Sequence, residues 1–234
     1  KEQIEAGEEK ADAEMRPQEA KFMRLRKIPG MEDRVAAEFP HLVIFDPEQW
    51  RGRWQQRFEQ TGPISLEIGM GRGRFINALS QAEPKQNFVA VEMRNEVIYD
   101  AGLKIGDDRK NVAVISARAE GLPQWFAPGE VERIYLNFSD PWPKRAHRKR
   151  RLTHENFLAL YREILPPEGE ILLRTDAASL MEFSLVEMTN HGFSLAEVSF
   201  DLHNSPYFDG FTTEYEEKKS KTGPIYYGRF VLKK

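Results

Sequence analysis

The stretch Ile64-Ser-Leu-Glu-Ile-Gly-Met-Gly-Arg-Gly-Arg-Phe75 decides the fold. A short apolar run ends at Ile68, three glycines follow at alternate positions, and an apolar helical pattern starts at Phe75. Glycine lets the backbone turn tightly and approach a ligand because it has no Cβ. The stretch therefore predicts a strand, a ligand-binding turn and a helix, which is how a parallel α/β sheet presents its binding edge.

Strand and helix patterns alternate along the rest of the chain. Near-continuous apolar strands separated by helices predict an α/β fold with a doubly wound, mostly parallel sheet of seven strands and helices on both faces. The last strand is expected to run antiparallel, because no helix of useful length precedes it. A further helix is expected around Trp50, Trp54 and Phe58, whose rings should join the core. The predicted strands are 64–68, 88–91, 112–115, 134–137, 170–174, 193–201 and 225–232, and the main predicted helices are 74–82, 94–105, 153–164 and 177–191.

Charge is distributed unevenly over the 234 residues. Residues 1–22 hold seven acidic and four basic side chains, and 4 − 7 = −3 equals the formal net charge of the whole chain. We expect these residues to form a charged extension, helical or disordered, beside one domain over residues 23–234. The chain has no cysteine, no signal-peptide pattern and no apolar run of roughly 18 residues. These features favour a cytoplasmic protein without a membrane partner or a metal site, and they leave monomer and homodimer open.

Two carboxylates are placed to bind a cofactor at the predicted edge. Glu67 precedes the first glycine by two positions, and Glu92 ends the second predicted strand. A nicotinamide fingerprint needs a glycine where this chain has Arg74. S-adenosylmethionine has no phosphate but carries a positive ammonium and a positive sulfonium, so a carboxylate suits it better. We expect Glu67 to face these groups, Glu92 to accept hydrogen bonds from the ribose hydroxyls, and the segment Ser116–Glu120 to lie at the adenine.

The segment after the fourth predicted strand combines an acid with a dense run of positive charge. It reads Asn137-Phe-Ser-Asp-Pro-Trp-Pro-Lys144, and six of the eight residues from Lys144 to Arg151 are Lys or Arg. Asp140 follows the carboxyl end of a strand, where sheets of this type place their reactive groups. A basic run joined to such a position predicts contacts with nucleic-acid phosphates. These contacts are expected from the arm Met23–Lys27 and from Arg145, Arg148, Lys149, Arg150 and Arg151.

Taken together, these segments resemble the bacterial tRNA (guanine-N7)-methyltransferase family, which has the class I methyltransferase, Rossmann-like fold. The resemblance rests on 67–75, on 137–144, on His147-Arg-Lys-Arg-Arg-Leu152 and on Thr213-Glu-Tyr-Glu216, and it covers nearly all of the chain from Met23 onward. It implies S-adenosylmethionine as methyl donor, S-adenosylhomocysteine as product, and N7 of a guanine in the variable loop of tRNA as acceptor.

The resemblance also implies residue roles. It makes Asp140 the catalytic residue, and it places substrate contacts at Lys144, Asp176, Thr213, Glu214, Tyr215 and Glu216. Two positions depart from the family pattern: Arg118 stands where relatives carry an acid, and Ala177 stands where they tend to have asparagine. With the glycine turn and the end of the third strand included, the expected cofactor contacts are Glu67, Gly69, Gly71, Glu92, Arg118, Ala119 and Asp140.

Three other functions remain open from the residues alone. A methyltransferase for another RNA base, such as an adenine amino group, often has an Asn/Asp-Pro-Pro-aromatic loop, which Trp142 disfavours. A dinucleotide-binding oxidoreductase is disfavoured by Arg74 and by the lack of an obvious acid–base histidine. A non-catalytic RNA-binding module explains the basic run but gives Glu67 and Glu92 no role.

Overall fold

A computed structural model describes residues 28–234. The extension 1–22 and the basic arm Met23–Lys27 lie outside the described residues. Within 28–234, one mixed sheet has the strand order β1-β4-β3-β2-β5-β6-β8-β7. All neighbouring strands pair in parallel except β8, which is antiparallel to both β6 and β7. The strands are β1 (Val43–Ile44), β2 (Ile64–Ile68), β3 (Asn87–Glu92), β4 (Val112–Ser116), β5 (Arg133–Asn137), β6 (Glu170–Thr175), β7 (Phe193–Ser199) and β8 (Tyr226–Leu232).

The doubly wound, mostly parallel sheet and its antiparallel last strand are confirmed. The expected number of seven strands is wrong, because the described part of the chain contributes eight. The additional strand is β1, where Val43 and Ile44 pair with Val114 and Ile115 of β4. Two residues are too few to show the alternation of apolar and polar side chains that indicates a strand, so the sequence pattern does not predict β1.

Helices cover both faces of the sheet. One apolar cluster packs the first three helices against one face, and a second cluster packs the next three against the other. The predicted helices are confirmed to within two residues at each end. The helices are α1 (Met31–Glu38), α2 (Arg74–Ala82), α3 (Asn95–Ile105), α4 (Leu122–Trp125), α5 (Glu155–Ile164), α6 (Ala178–Asn190) and α7 (Glu214–Lys219).

The expected helix around Trp50, Trp54 and Phe58 is wrong. Two short 3₁₀ turns, Pro47–Trp50 and Trp54–Gln56, replace it. Gly52 lies between them at φ 72°, a left-handed conformation that interrupts a helix. The role of the aromatic rings in the core is nevertheless confirmed, since Trp54 is fully buried with its ring stacked 5.1 Å from that of Phe126.

None of the helices in residues 28–234 has the length and apolarity needed to cross a bilayer.

Candidate active site

The glycine turn connects β2 to α2 at the carboxyl edge of the sheet. Gly69 has φ 78° and its N–H donates to the carbonyl of Val91 on β3 at 2.8 Å. A Cβ on Gly69 or Gly71 would meet no atom within 4 Å, whereas one on Gly73 would lie 2.9 Å from Cβ of Ala101 on α3. Gly73 therefore permits close packing of two helices, while the other two glycines present open backbone at the edge.

Two adjoining cavities open at this edge. The larger has a volume of about 740 Å³ and lies beyond the ends of β2, β3 and β4. The smaller has a volume of about 300 Å³ and lies between the glycine turn, Asp176 and α7. Asp140 lines both cavities, so it lies at their junction.

The structure brings most of the predicted site residues to these two cavities. Of the predicted residues, Gly69, Glu92, Arg118, Ala119, Asp140, Lys149 and Arg150 line the larger cavity. The smaller one is lined by Glu67, Gly69, Gly71, Asp140, Asp176, Thr213, Glu214 and Tyr215. Five predicted residues line neither cavity: Lys144, Arg145, Arg148, Arg151 and Glu216.

Glu67 is a buried acid in the wall of the smaller cavity. Its Oε1 accepts a hydrogen bond from Nδ2 of Asn137 at 3.0 Å. Burial raises the pKa of Glu67 to about 8, although the Asn137 hydrogen bond and the charge of Arg174 oppose that shift. Three of the six buried side-chain polar atoms that have no partner among the described residues belong to the lining of the smaller cavity: Oε2 of Glu67, Oδ1 of Asn137 and Oγ of Ser139. Buried polar atoms are normally paired, so this group fits a ligand that brings its own polar groups.

Glu92 ends β3 and lines the larger cavity. Its Oε1 accepts from the backbone N–H groups of Met93 and Arg94, at 2.9 and 3.2 Å. Burial raises the pKa of Glu92, and these hydrogen bonds lower it. The carboxylate oxygens can accept further hydrogen bonds, such as those from two hydroxyl groups of a ligand.

Arg118 lies at the predicted adenine position, but its positive charge is already paired with a carboxylate. Its Nη2 is 2.8 Å from Oε1 of Glu120, in an exposed ion pair. The neighbouring Ala119 is buried and lines the same cavity. The departure from the family pattern at Arg118 therefore leaves the cavity itself open.

The loop that carries Asp140 is strained. Phe138 has φ 53° and Trp142 has φ 40°, a region that bulky L residues rarely adopt. The N–H of Phe138 donates to the carbonyl of Arg174 on β6 at 2.8 Å. The ring of Phe138 lies 5.2 Å from the ring of Tyr215 on α7. Asp140 is exposed between the two strained residues.

The basic run divides into exposed and engaged side chains. It forms a 3₁₀ turn, Arg145–Arg150, in which Arg148 pairs with Glu187 at 3.4 Å. Arg151 is only 6% exposed, and its guanidinium donates to two loop carbonyls. The side chain of Arg151 is enclosed by the loop and the ring of Phe183, and its expected contact with tRNA phosphate stays a prediction. The exposed cations are Lys144, Arg145, Lys149 and Arg150.

The segment 213–216 begins α7. The hydroxyl oxygen of Thr213 accepts a hydrogen bond from the N–H of Glu216 at 2.9 Å, and the carboxylate of Glu216 accepts one from the N–H of Thr213. These two bonds form a capping box. Glu216 is fully buried, with Oε1 2.8 Å from Nε2 of His203 and Oε2 3.6 Å from Nη1 of Arg174. These partners engage both oxygens of its carboxylate, and the expected substrate contact of Glu216 stays a prediction.

Of the other predicted substrate residues, Asp176, Thr213, Glu214 and Tyr215 line the smaller cavity, whereas Lys144 does not. The hydroxyl of Tyr215 donates to Oδ2 of Asp176 at 3.2 Å, and Nζ of Lys219 lies 3.2 Å from the same oxygen. Glu214 forms an exposed ion pair with Lys104 of α3. Asp176 and Tyr215 are thus arranged as a pair that can contact a polar ring edge.

Sequence reasoning missed two residues of the site. The sequence motif around Asp140 contains Asn137 but does not indicate that its amide donates a hydrogen bond to Glu67. Arg174 is 1% exposed and binds Asp209 and the carbonyl of Phe211, which fixes the loop before α7. The signal for Arg174 was a charged residue within an apolar strand, since such a residue must be paired when buried.

The chain is similar to known proteins over most of its length. A family model described as "Putative methyltransferase" matches residues 61–227. A tRNA (guanine-N(7)-)-methyltransferase of Geobacillus kaustophilus (strain HTA426) is 48% identical over 202 residues, which are 86% of this chain and 93% of that protein. The protein of the same name from Enterococcus faecalis is 43% identical over 215 residues, with 90% of this chain and 100% of that protein covered.

Solved structures of low identity share the fold. The 16S rRNA methyltransferase KamB superposes with a TM-score of 0.58 at 13% identity, covering 78% of this chain and 94% of that one. The 16S rRNA (adenine(1408)-N(1))-methyltransferase from Catenulisporales acidiphilia gives 0.55 at 16% identity, with 82% and 96% covered. These likenesses show the class I, Rossmann-like fold. By its sequence relatives, the chain belongs to the tRNA (guanine-N7)-methyltransferase family.

Proposed function

We propose that the protein transfers a methyl group from S-adenosylmethionine to N7 of a guanine in the variable loop of tRNA, leaving S-adenosylhomocysteine. The observation that carries this function is the position of Asp140 where two adjoining cavities meet. One cavity is large enough for an adenosyl group and the other for a single base. The relatives are tRNA (guanine-N(7)-)-methyltransferases, which supports the choice of tRNA and of guanine N7.

The larger cavity fits S-adenosylmethionine by the chemistry of its walls. Glu92 offers acceptors for the ribose hydroxyls, and the backbone at Ala119 borders the space for the adenine. Gly69 also lines the smaller cavity, where its open backbone continues through Gly71 and where Oε2 of Glu67 has no partner among the described residues. When bound, S-adenosylmethionine supplies a methyl group made electrophilic by the sulfonium.

The reaction needs alignment more than proton transfer. Guanine N7 carries a lone pair and no proton, so an in-line displacement can proceed without a general base. The purine ring gains positive charge as the new bond forms, and the carboxylate of Asp140 at the junction offsets that charge. Asp176, together with Tyr215 or Glu214, would hold the Watson–Crick edge of the base in the smaller cavity.

The tRNA backbone would bind to the exposed cations Lys144, Arg145, Lys149 and Arg150, and to the arm Met23–Lys27. Phosphate contacts of this kind fix the position of the RNA, and the pocket selects the base. N7 faces the major groove and is inaccessible in folded RNA, so the guanine must be turned out of its stack to enter the smaller cavity. The protein would act in the cytoplasm, as a monomer or a homodimer.

The test is a nucleoside analysis. An unmodified tRNA transcript is incubated with the full chain and labelled S-adenosylmethionine, then digested and separated. We expect label in 7-methylguanosine, and no label when the variable-loop guanine is replaced by adenine. Label in a methylated adenine, or the absence of any labelled nucleoside, would contradict the proposal.

A further inference from the structure

Arg151 ends the basic run, but its surroundings differ from those of its neighbours. Lys149 and Arg150 are exposed, whereas Arg151 is 6% exposed. Its guanidinium carbon lies 4.4 Å from the centre of the Phe183 ring on α6. A cation enclosed in this way cannot reach a phosphate without leaving its site, so a different role is needed for it.

The guanidinium binds two consecutive backbone carbonyls. Its Nε donates to the carbonyl of Pro141 at 2.9 Å, and its Nη2 donates to the carbonyl of Trp142 at 3.1 Å. The planar fork of arginine matches two neighbouring acceptors, which the single ammonium of lysine cannot do in the same way. Arg151 therefore fixes the carbonyl groups of the two residues that directly follow Asp140.

Those carbonyl groups belong to the strained part of the loop. Strained conformations such as φ 40° at Trp142 persist only when the surrounding structure holds them. On one side of Asp140, the N–H of Phe138 is bound by the carbonyl of Arg174. On the other side, Arg151 supplies the two hydrogen bonds to the loop. Asp140 is thus held from both flanks.

Arg151 is also joined to the RNA-binding turn. Its N–H donates to the carbonyl of Arg148 at 3.0 Å, and its own carbonyl accepts from the N–H of His154 at 3.0 Å. The ring of His154 caps α5 by accepting from the N–H of Asn156. The backbone of Arg151 is therefore fixed between the basic turn and a helix, while its side chain reaches the catalytic loop.

We propose that Arg151 is a positioning residue that holds the peptides of Pro141 and Trp142, so that Asp140 faces the junction of the two cavities. It acts on the methyl-transfer step and does not bind tRNA phosphates. This inference rests on the proposed function and names a further residue on which the rate of that reaction depends.

The test uses Arg151→Lys, which keeps the charge and loses the fork. Single-turnover rates are measured at saturating tRNA and S-adenosylmethionine, and tRNA dissociation constants are measured over a range of salt concentrations. We expect the rate to fall about 10- to 100-fold, because a displacement of roughly 1 Å can cost that much. The tRNA dissociation constant and its salt slope should stay within twofold of the wild-type values.

Arg162→Lys is the matched control. Nη1 of Arg162 also donates to a backbone carbonyl, that of His191 at 2.9 Å, but at the opposite edge of the sheet. This variant should keep the wild-type rate. Arg151→Ala adds a second readout, since guanidinium ions in solution should restore part of its rate if the missing fork is the cause.

Hydrogen exchange of residues 138–144 separates failure of this inference from failure of the proposed function. We expect faster exchange in Arg151→Lys than in the wild type and in Arg162→Lys, whatever the substrate. A wild-type rate and unchanged exchange in Arg151→Lys would overturn the inference, as would an unchanged rate with a smaller salt slope. Absence of 7-methylguanosine with the wild-type chain would reject the proposed function alone.

Discussion

Asp140 has no tight ion pair among the described residues, and its carboxylate faces the junction of two cavities. Asp140→Asn keeps the shape of the side chain and removes its charge. We expect single-turnover methyl transfer to fall about 100-fold, as it does when a key electrostatic group is lost, with little change in tRNA affinity. Quenched-flow measurement with labelled S-adenosylmethionine gives the rate. Asp108→Asn, an exposed control at the other edge of the sheet, should keep the wild-type rate; equal rates for both variants would remove Asp140 from the chemistry.

Glu67 links stability to cofactor binding through its raised pKa of about 8. The unfolded chain loses this proton near pH 4.5, whereas the folded protein keeps it until about pH 8. The folded state therefore binds the extra proton over that interval, and stability falls as the pH rises through it.

Glu67→Gln removes this titration and keeps an acceptor for Asn137. We expect its Tm without ligand to exceed that of the wild type by about 5 °C at pH 8.5, since each kcal/mol moves Tm by roughly 2–4 °C in a domain of this size. The difference should shrink toward pH 5, while binding of S-adenosylmethionine at pH 8.5 weakens at least about tenfold. Calorimetric scans at several pH values provide the check, and a Tm difference independent of pH would contradict the assignment.

Two exposed cations of the basic turn, Arg145 and Lys149, should act as phosphate contacts. Arg145→Ala and Lys149→Ala should each weaken tRNA binding and reduce the slope of log K against log salt by about 1. Lys85→Ala, an exposed control before β3, should leave the slope unchanged. Filter binding between low and moderate salt measures all three, and slopes equal to the wild-type slope in the turn variants would exclude phosphate contacts there.

At the level of helices and strands, the sequence predicted what periodicity encodes. The strands at the centre of the sheet and the longer helices were found, because burial on both faces produces apolar runs and helical patterns. The strand β1 was missed, since two residues have no period. The aromatic spacing from Trp50 to Phe58 predicted burial but not conformation, because Gly52 divides the segment into two turns.

The site was predictable where topology alone determines it. Glu67, Glu92 and Asp140 follow or end parallel strands, whose carboxyl ends meet at one edge. The enclosure of two predicted site residues depends on distant partners: Arg151 on Phe183 of α6, and Glu216 on His203 and Arg174. In the local sequence, Arg151 belongs to a basic run and Glu216 to a Thr-x-x-Glu pattern. Only tertiary packing shows that these side chains are enclosed.

At the scale of the whole molecule, the cavity for S-adenosylmethionine and the turn for tRNA have residues in common. Lys149 and Arg150 line the larger cavity and belong to the turn that would meet the tRNA. Their positive charge opposes a sulfonium until RNA phosphates screen it. We therefore expect saturating tRNA to tighten binding of S-adenosylmethionine by about fivefold, and binding of the uncharged thioether product by less. Titration calorimetry of both ligands with and without tRNA measures the coupling; equal effects on the two ligands would contradict it.

In the proposed reaction, S-adenosylmethionine and a guanine of tRNA meet beside Asp140. The decisive measurement is a crystal structure of the full chain with S-adenosylhomocysteine and unmodified tRNA. We expect the ribose hydroxyls at Glu92, the sulfur at the junction of the cavities, and N7 of an everted guanine facing it from the side of Asp176. An adenosyl group bound elsewhere, or a guanine whose N7 faces away from the sulfur and from Asp140, would contradict the central claim.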